Sequence, residues 1–445
     1  MSYYKPYSAY KDSGVGWVGE VPSDWDVTPL FAVASERKES NKGMVEDNLL
    51  SLSYGSIVKK DINTNDGLLP ESFETYQIVR PGDIIFRLTD LQNDKRSLRT
   101  AVVSTKGIIT SAYVAVSPKS IEPRYFNYLL RAYDVQKVFY SMGGGMRQSM
   151  KFEDLRRMPI LVPGKDEQEI ICKMLDRETV RIDGLVSKKT SFIELLREKR
   201  QALITHAVTQ GLDHSVKMKD SRVKWLGDVP AHWDVAPMKY ICELLKDGTH
   251  LPPPRVDDGP RLLSVRNIVD GCFTDRDDDS KISQDDYREL CRSFVPLEGD
   301  VLLAIVGGTL GKTAIIPVKL NNFHIQRSLA IFRPRQKRMK SSWLHLIFQS
   351  SLFQSLLWEH AGYSAQPGIY LGALGGFAVP QPPIEEQTRI MNYVDIQTSP
   401  IDTLITKTER SLELLKDRRS ALITAVVTGQ IDVRPNTDRQ DQQAA

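Results

Sequence analysis

The sequence predicts an α+β chain made by internal duplication: two similar mixed α/β domains separated by two long helices that pair like a coiled coil. Three observations lead there. A helix-length stretch from Glu167 to Asp213 recurs from Glu386 to Asp432 at an offset of 219 residues, without a gap. A tryptophan-rich segment stands once ahead of each domain, at Trp17 and at Trp225. The two stretches enclosed by these repeats share a plan of short strands, a helix and a glycine loop, with weak identity.

The gapless repeat matches Glu167-Gln168 with Glu386-Gln387, Ile182-Asp183 with Ile401-Asp402, Glu194-Leu195-Leu196 with Glu413-Leu414-Leu415, and Ala202–Thr205 with Ala421–Thr424. Spacing held over that length is constrained spacing. In the second copy Ile401, Leu404, Ile405, Leu412, Leu415, Leu422 and Val426 fall on one helical face; in the first, Ile182, Leu185, Val186, Ile193, Leu196, Leu203 and Ala207 do. Of these, Ile182, Leu185, Ile193, Leu196 and Leu203 are expected to pack on Ile401, Leu404, Leu412, Leu415 and Leu422. Proline fits a helix only in its first turn, which predicts a start at Pro400 with Ser399 as cap. Gly211 and Gly429 mark the exits. A helix from Ile401 to Thr428 is roughly 40 Å long at about 1.5 Å per residue. It needs an equally long apolar partner, and the other copy is the nearest one.

The opening segment Trp17-Val18-Gly19-Glu20-Val21-Pro22, then Trp25-Asp26-Val27, returns as Trp225-Leu226-Gly227-Asp228-Val229-Pro230, then Trp233-Asp234-Val235. Two tryptophans around such a turn read as a packing clasp. The chain then divides into an opening segment 1–27, a first domain 28–163, a helical region 164–213, the repeated opening segment 214–235, a second domain 236–383, a second helical region 384–433 and a polar tail 434–445 read as disordered. In the first domain strands are expected at Leu49–Ser53, Asp83–Phe86, Thr100–Val103 and Ala112–Val116, a helix at Arg124–Tyr140 and a glycine loop at Gly143–Gln148. The second repeats this with Leu262–Val265, Gly299–Leu303, Trp343–Glu359 and Gly362–Gln366.

With 445 residues, 26% charged and 41% apolar, the chain has the composition of a soluble globular protein of two or three domains. A net charge of +3 excludes a polybasic tail, so any nucleic-acid surface is a local patch. No apolar run is long enough to span a bilayer, and Met1-Ser2-Tyr3-Tyr4 opens no signal core. Cys172, Cys242, Cys272 and Cys291 form no Cys-x-x-Cys pair, and the seven histidines show no ligand spacing to them; free thiols in a cytoplasm and no metal site are expected.

Gly307-Gly308-Thr309-Leu310-Gly311-Lys312-Thr313 approaches a phosphate-binding loop but has Val306 where that loop requires glycine, and Ala314-Ile315-Ile316 after it reads as a strand. Methyltransferase, dinucleotide, zincin and nucleophile-elbow motifs are missing from the sequence, so no catalytic centre is expected. Basic and amide side chains on loops are the candidates for DNA contact: Arg87, Asn93, Lys95, Arg96, Arg99, Arg147 and Gln148 in the first domain; Lys246, His250, Arg255, Arg266, Asn267, Lys312, Gln326, Arg327 and Gln366 in the second. Arginine reads guanine, asparagine and glutamine read adenine, and lysine favours phosphate. The run Arg333–Lys340 reads equally as a phosphate patch or a solvated loop. A non-catalytic scaffold, or a nucleotide-binding enzyme using Gly307–Thr313, are the alternative readings.

The Trp-Val-Gly-Glu-Val-Pro segment at Trp17 with its copy at Trp225, the Pro-x-x-x-Glu-Gln lead-ins from Pro163 and Pro382, and the helix end Ala421–Asp432 are similar to the specificity subunits of type I restriction-modification systems. That resemblance covers nearly the whole chain. It implies two target recognition domains inverted about a pseudo-two-fold axis by antiparallel helices, each reading half of a split site in double-stranded DNA. It further implies no cofactor in this chain. Two modification subunits would bring S-adenosylmethionine, and restriction subunits ATP and magnesium.

Overall fold

The computed structural model describes residues 5–63, 70, 72–89, 98–142, 149–269, 271–362 and 367–434. They form two compact units, one of residues 1–189 with 410–445, the other of 190–409. Each unit therefore holds the start of one long helix and the end of the other.

The long helices are Lys165–Gln210 and Ile384–Val427, of 46 and 44 residues. The second begins well before the start expected at Pro400, which lies inside it. Proline there removes the donor for the carbonyl of Ile396, but Ile396 is exposed, so solvent can satisfy that carbonyl. Both exits are as expected: Gly211 and Gly429 take φ of +74° and +73°. In the unit of residues 190–409 the helices run antiparallel, with Arg197 on Glu409 at 2.7 Å and Arg200 on Asp402 at 2.7 Å.

Ile182, Ile193, Leu196, Ile401 and Leu422 are buried, and Leu203, Leu412 and Leu415 half-buried. Leu185 and its repeat partner Leu404 are exposed and do not pack as expected. On a helix wheel half-buried Val186 and buried Ile193, Ile204 and Val208 lie to one side of Ile182, and Leu185 stands about 60° to the other. Ile204, Val208, Ile423 and Val427, absent from the expected set, are fully or almost fully buried.

In the unit of residues 1–189 and 410–445 the central sheet is antiparallel, in the order Ala34–Glu36, Val114–Pro118, Ile84–Phe86, Thr100–Val102. Leu50–Ser53 pairs with Ser56–Lys59 in a hairpin beside it. The expected single helix is two, Pro123–Val135 and Val138–Met142, parted at Lys137, whose φ of +62° is not helical. In the other unit the sheet runs Cys242–Asp247, Leu329–Pro334, Val301–Ala304, Thr313–Ile315, Cys272–Phe273, Ile268–Val269. Its helix is likewise two, Ser341–Gln349 and Ser351–His360; Ser350 breaks it and caps the second piece, its Oγ accepting from Phe353 N at 3.3 Å.

The repeated residues carry repeated joints. Gln168 is buried; its Nε2 donates to Pro163 O at 2.8 Å and its Oε1 accepts from Glu122 N at 2.8 Å, where the helix Pro123–Val135 begins. Gln387 Nε2 donates to Pro382 O and Arg338 O, both at 2.9 Å, and its Oε1 accepts from Lys340 N at 2.9 Å, where Ser341–Gln349 begins. Each Glu-Gln lead-in thus staples the start of a long helix to a shorter helix of its own unit, Pro123–Val135 in one and Ser341–Gln349 in the other. Of the two tryptophans in each opening segment only the second acts as a clasp; Trp17 is exposed and Trp225 half-buried. Trp25 and Trp233 are fully buried, and a Cβ on Gly429 would meet Pro22 and Trp25, one on Gly211 Trp233 and Pro230. Trp233 Nε1 donates to Glu386 Oε1 at 3.1 Å, whereas Glu167 accepts instead from Tyr7 Oη at 2.5 Å. Burial and that carboxylate push the Tyr7 hydroxyl far up.

Candidate nucleic-acid interface

In the unit of residues 190–409, one cleft of about 710 Å³ is lined by Asp247, His250, Ile305, Val306, Arg327, Gly362, Gly368 and Gly372 among others. Its floor is a tightly crossed backbone. Gly248 passes so close to Gln326 that a Cβ would stand 2.3 Å from its carbonyl group. Thr249 N donates to Ile325 O at 3.0 Å and Arg327 N to Thr249 O at 3.1 Å; Leu329 N closes a turn on Gln326 O at 3.0 Å. The far wall is held by Ile369 N on Ile305 O at 3.0 Å and Gly307 N on Pro367 O at 2.7 Å. His250 lies with a ring nitrogen 2.6 Å from Asp247 Oδ2. Tyr370 on the rim is 87% exposed, and Leu251, next to His250, 88%.

The other unit has a cleft in the same topological place, of about 580 Å³. Its lining includes Lys38, Tyr76, Thr89, Ser111, Tyr113 and Lys151. Ile84 pairs with Val116 as Val301 pairs with Phe332, and Tyr113 N closes a turn on Thr110 O at 3.1 Å as Leu329 does on Gln326. Those matches put Ser111 where Arg327 stands. Likewise Thr89 bridges Ser149 as Val306 bridges Gly368. Both clefts thus lie beyond the same strand ends, but their side chains differ. Arg37 on the wall is occupied, 2.5 Å from buried Asp83. Burial pushes the Tyr76 hydroxyl up.

Of the candidates chosen from sequence, His250 and Arg327 meet in one cleft. Lys312, exposed, lines a separate one with Arg200, Gln201, Gln349 and Gln354. Lys246 and Arg255 are exposed and Gln326 half-buried. Arg87 is half-buried, its N donating to Arg99 O at 2.8 Å. Two candidates are core residues instead. Arg99 is fully buried, its N donating to Asp134 and its side chain to Thr89 O at 2.9 Å and Tyr140 Oη at 3.3 Å. Asn267 is fully buried, donating to Asp279 and to Thr274 O, and Arg266 also holds Asp279, at 2.8 Å. Burial works to raise the Asp279 carboxyl, but the bonds from Asn267, Arg266 and the Arg276 N–H prevail and hold it low. Asn93, Lys95, Arg96, Arg147, Gln148 and Gln366 lie outside the described residues. The run Arg333–Lys340 is partly structural: Arg333 clamps buried Asp300 at 2.7 Å and Met339 is fully buried. Asp247 and Tyr370 went unnoticed in the sequence, because one Asp and one Tyr among many carry no local signal.

The Gly307–Lys312 turn joins the antiparallel strands Val301–Ala304 and Thr313–Ile315. A strand, not a helix N-terminus, follows it, so the geometry of a nucleotide loop is not met. Among the described residues no group of His, Cys, Asp and Glu could hold a metal ion, and no helix is long and apolar enough to cross a membrane.

Comparison places this architecture in a class. Residues 273–414 match the type I restriction modification DNA specificity domain. The resemblance seen in the repeats is thereby borne out: this chain resembles type I restriction-modification specificity subunits. It is 25% identical to the type I restriction enzyme EcoBI specificity subunit of Escherichia coli, over 63% of this chain and 60% of that protein. It is 22% identical to the MjaVIII specificity subunit of Methanocaldococcus jannaschii, over 98% of each. A solved chain, from work on complex assembly and conformational transition of the type I R-M system, has the same fold. The TM-score is 0.66 at 17% identity, over 92% of this chain and 98% of that one.

Proposed function

We propose that this chain is the DNA-specificity subunit of a type I restriction-modification complex, reading an asymmetric site in two parts. The two recognition domains span 28–163 and 236–383, joined through the repeated helices. The observation that carries the reading is the pair of clefts: the same topological place in each unit, with Lys38, Ser111 and Tyr113 in one and Asp247, His250 and Arg327 in the other. Two readers on one frame need that combination, because the frame sets position and the side chains set sequence. The chain itself is non-catalytic. It docks two modification subunits, which supply S-adenosylmethionine for adenine methylation, and restriction subunits, which use ATP and magnesium, all in the cytoplasm. The test is to map methylated adenines in cells with and without this gene. A split motif that vanishes with the gene is expected; an unchanged methylation map overturns the reading.

A further inference from the structure

We propose that the cleft of residues 247–250, 305–306, 327 and 368–372 reads a G·C base pair from the major groove through Arg327, and that Ser111 at the equivalent turn makes the other unit read its own site differently. The inference rests on the DNA-specificity reading above and deepens it.

Arg327 is exposed on a turn whose backbone is pinned on both sides, by Gln326 N on Leu263 O at 2.9 Å and by its own N on Thr249 O. The guanidinium is therefore presented from a rigid base, as bidentate readout requires. A phosphate contact would use the same charge, but the surroundings argue against it. Asp247 lines the same cleft, one of its oxygens already on His250, and its carboxylate disfavours a phosphate. A base pair suits both groups: guanine offers two acceptors, N7 and O6, to the arginine, and cytosine offers its amino donor to a carboxylate. The rim agrees. Tyr370 lines the cleft and Leu251 follows its His250 in sequence, and they are the two most exposed large apolar side chains among the described residues. Apolar contacts of that kind fit thymine methyls and base faces, not a phosphate chain. The turn at Ser111 lacks the fork and the charge, so it cannot make the same contact.

The test uses the complex of this chain with its modification subunits. Each guanine of the mapped site is replaced in turn by 7-deazaguanine, which lacks the N7 acceptor. At one position binding by the unaltered complex is expected to weaken roughly tenfold or more. The Arg327→Ala complex is expected to be indifferent at that position and to methylate sites with other bases there, while the second half-site and the gap stay as they were. If no guanine is sensitive, or if Arg327→Ala keeps the motif intact, the inference is overturned. Neither result touches the functional reading, which falls only if no split motif depends on the gene.

Discussion

Arg200 Nε lies 2.7 Å from Asp402 Oδ1, and the residues 219 positions away from each, Arg419 and Asp183, pair at 2.9 Å. Each unit thus holds one copy of the same ion pair, made by the late part of one long helix and the middle of the other. All four side chains are about a third exposed or more, so solvent screens them. A double-mutant cycle with Arg200→Ala and Asp402→Ala, followed by chemical denaturation, should give a coupling of about 0.2–1 kcal/mol. A coupling several times larger would mean that the pair is shielded from water.

Gln387 should matter much more. Truncation to alanine leaves buried Pro382 O and the part-buried Lys340 N and Arg338 O without their partner. The cost is expected to be about 1–3 kcal/mol, mostly from the buried group left unpaired. Gln387→Glu should be little better, since a carboxylate cannot donate to the two carbonyls. Denaturation of the full chain measures both variants; near-neutral values would show that the staple is dispensable.

The two exit glycines predict an asymmetry. Both have positive φ, which costs alanine about 1 kcal/mol or more. Alanine at 429 would also place its Cβ 2.2 Å from Pro22, against 3.2 Å from Trp233 for alanine at 211. Gly429→Ala should therefore lower the melting temperature more than Gly211→Ala, and the reverse order would contradict the clasp geometry.

If the two long helices act as a ruler that sets the gap between the half-sites, insertions should lengthen that gap. Near Thr205 an insertion would break the contacts of Thr205 with Ser351 at 2.9 Å and of Gln201 with Gln349. Matched insertions of four residues after Lys188 and after Lys407 avoid these contacts and lengthen each helix by about 6 Å. The mapped gap should grow by roughly one to two base pairs with both half-sites unchanged. Altered half-sites with an unchanged gap would end the ruler reading.

Acid should weaken the unit of residues 190–409 through His324. Burial holds its imidazole below the ordinary 6.5, although the carbonyls of Ile325 and Phe294 favour the charged form. The unfolded chain then binds the proton more readily than the fold. Stability is complete above about 6.5 and falls as pH drops toward the depressed value. His324→Gln should flatten that pH dependence between 6.5 and 5 in denaturation curves; an unaltered slope would mean other groups cause it.

Periodicity, repetition and motif spacing are local properties, and they were enough for the two long helices, their glycine exits, the clasping Trp25 and Trp233 and the failed nucleotide loop. Residue type on loops marked Arg327 and His250 as candidates, without showing that they meet. What local pattern could not reveal is which polar side chains turn inward. Arg99 is buried because Asp134, 35 residues on, accepts its backbone N–H and because Tyr140 and Thr89 O receive its guanidinium. Asn267 is buried because Asp279 waits for it. Leu185 and Leu404 match the stripe in sequence but miss it in space, since a few tens of degrees decide exposure on a helix. Pro400 continues a helix that propensity alone would start there, because solvent reaches the carbonyl it leaves unpaired. The cleft itself is wholly tertiary: strand register brings Asp247, Arg327 and Tyr370 to one opening from three separate stretches of chain.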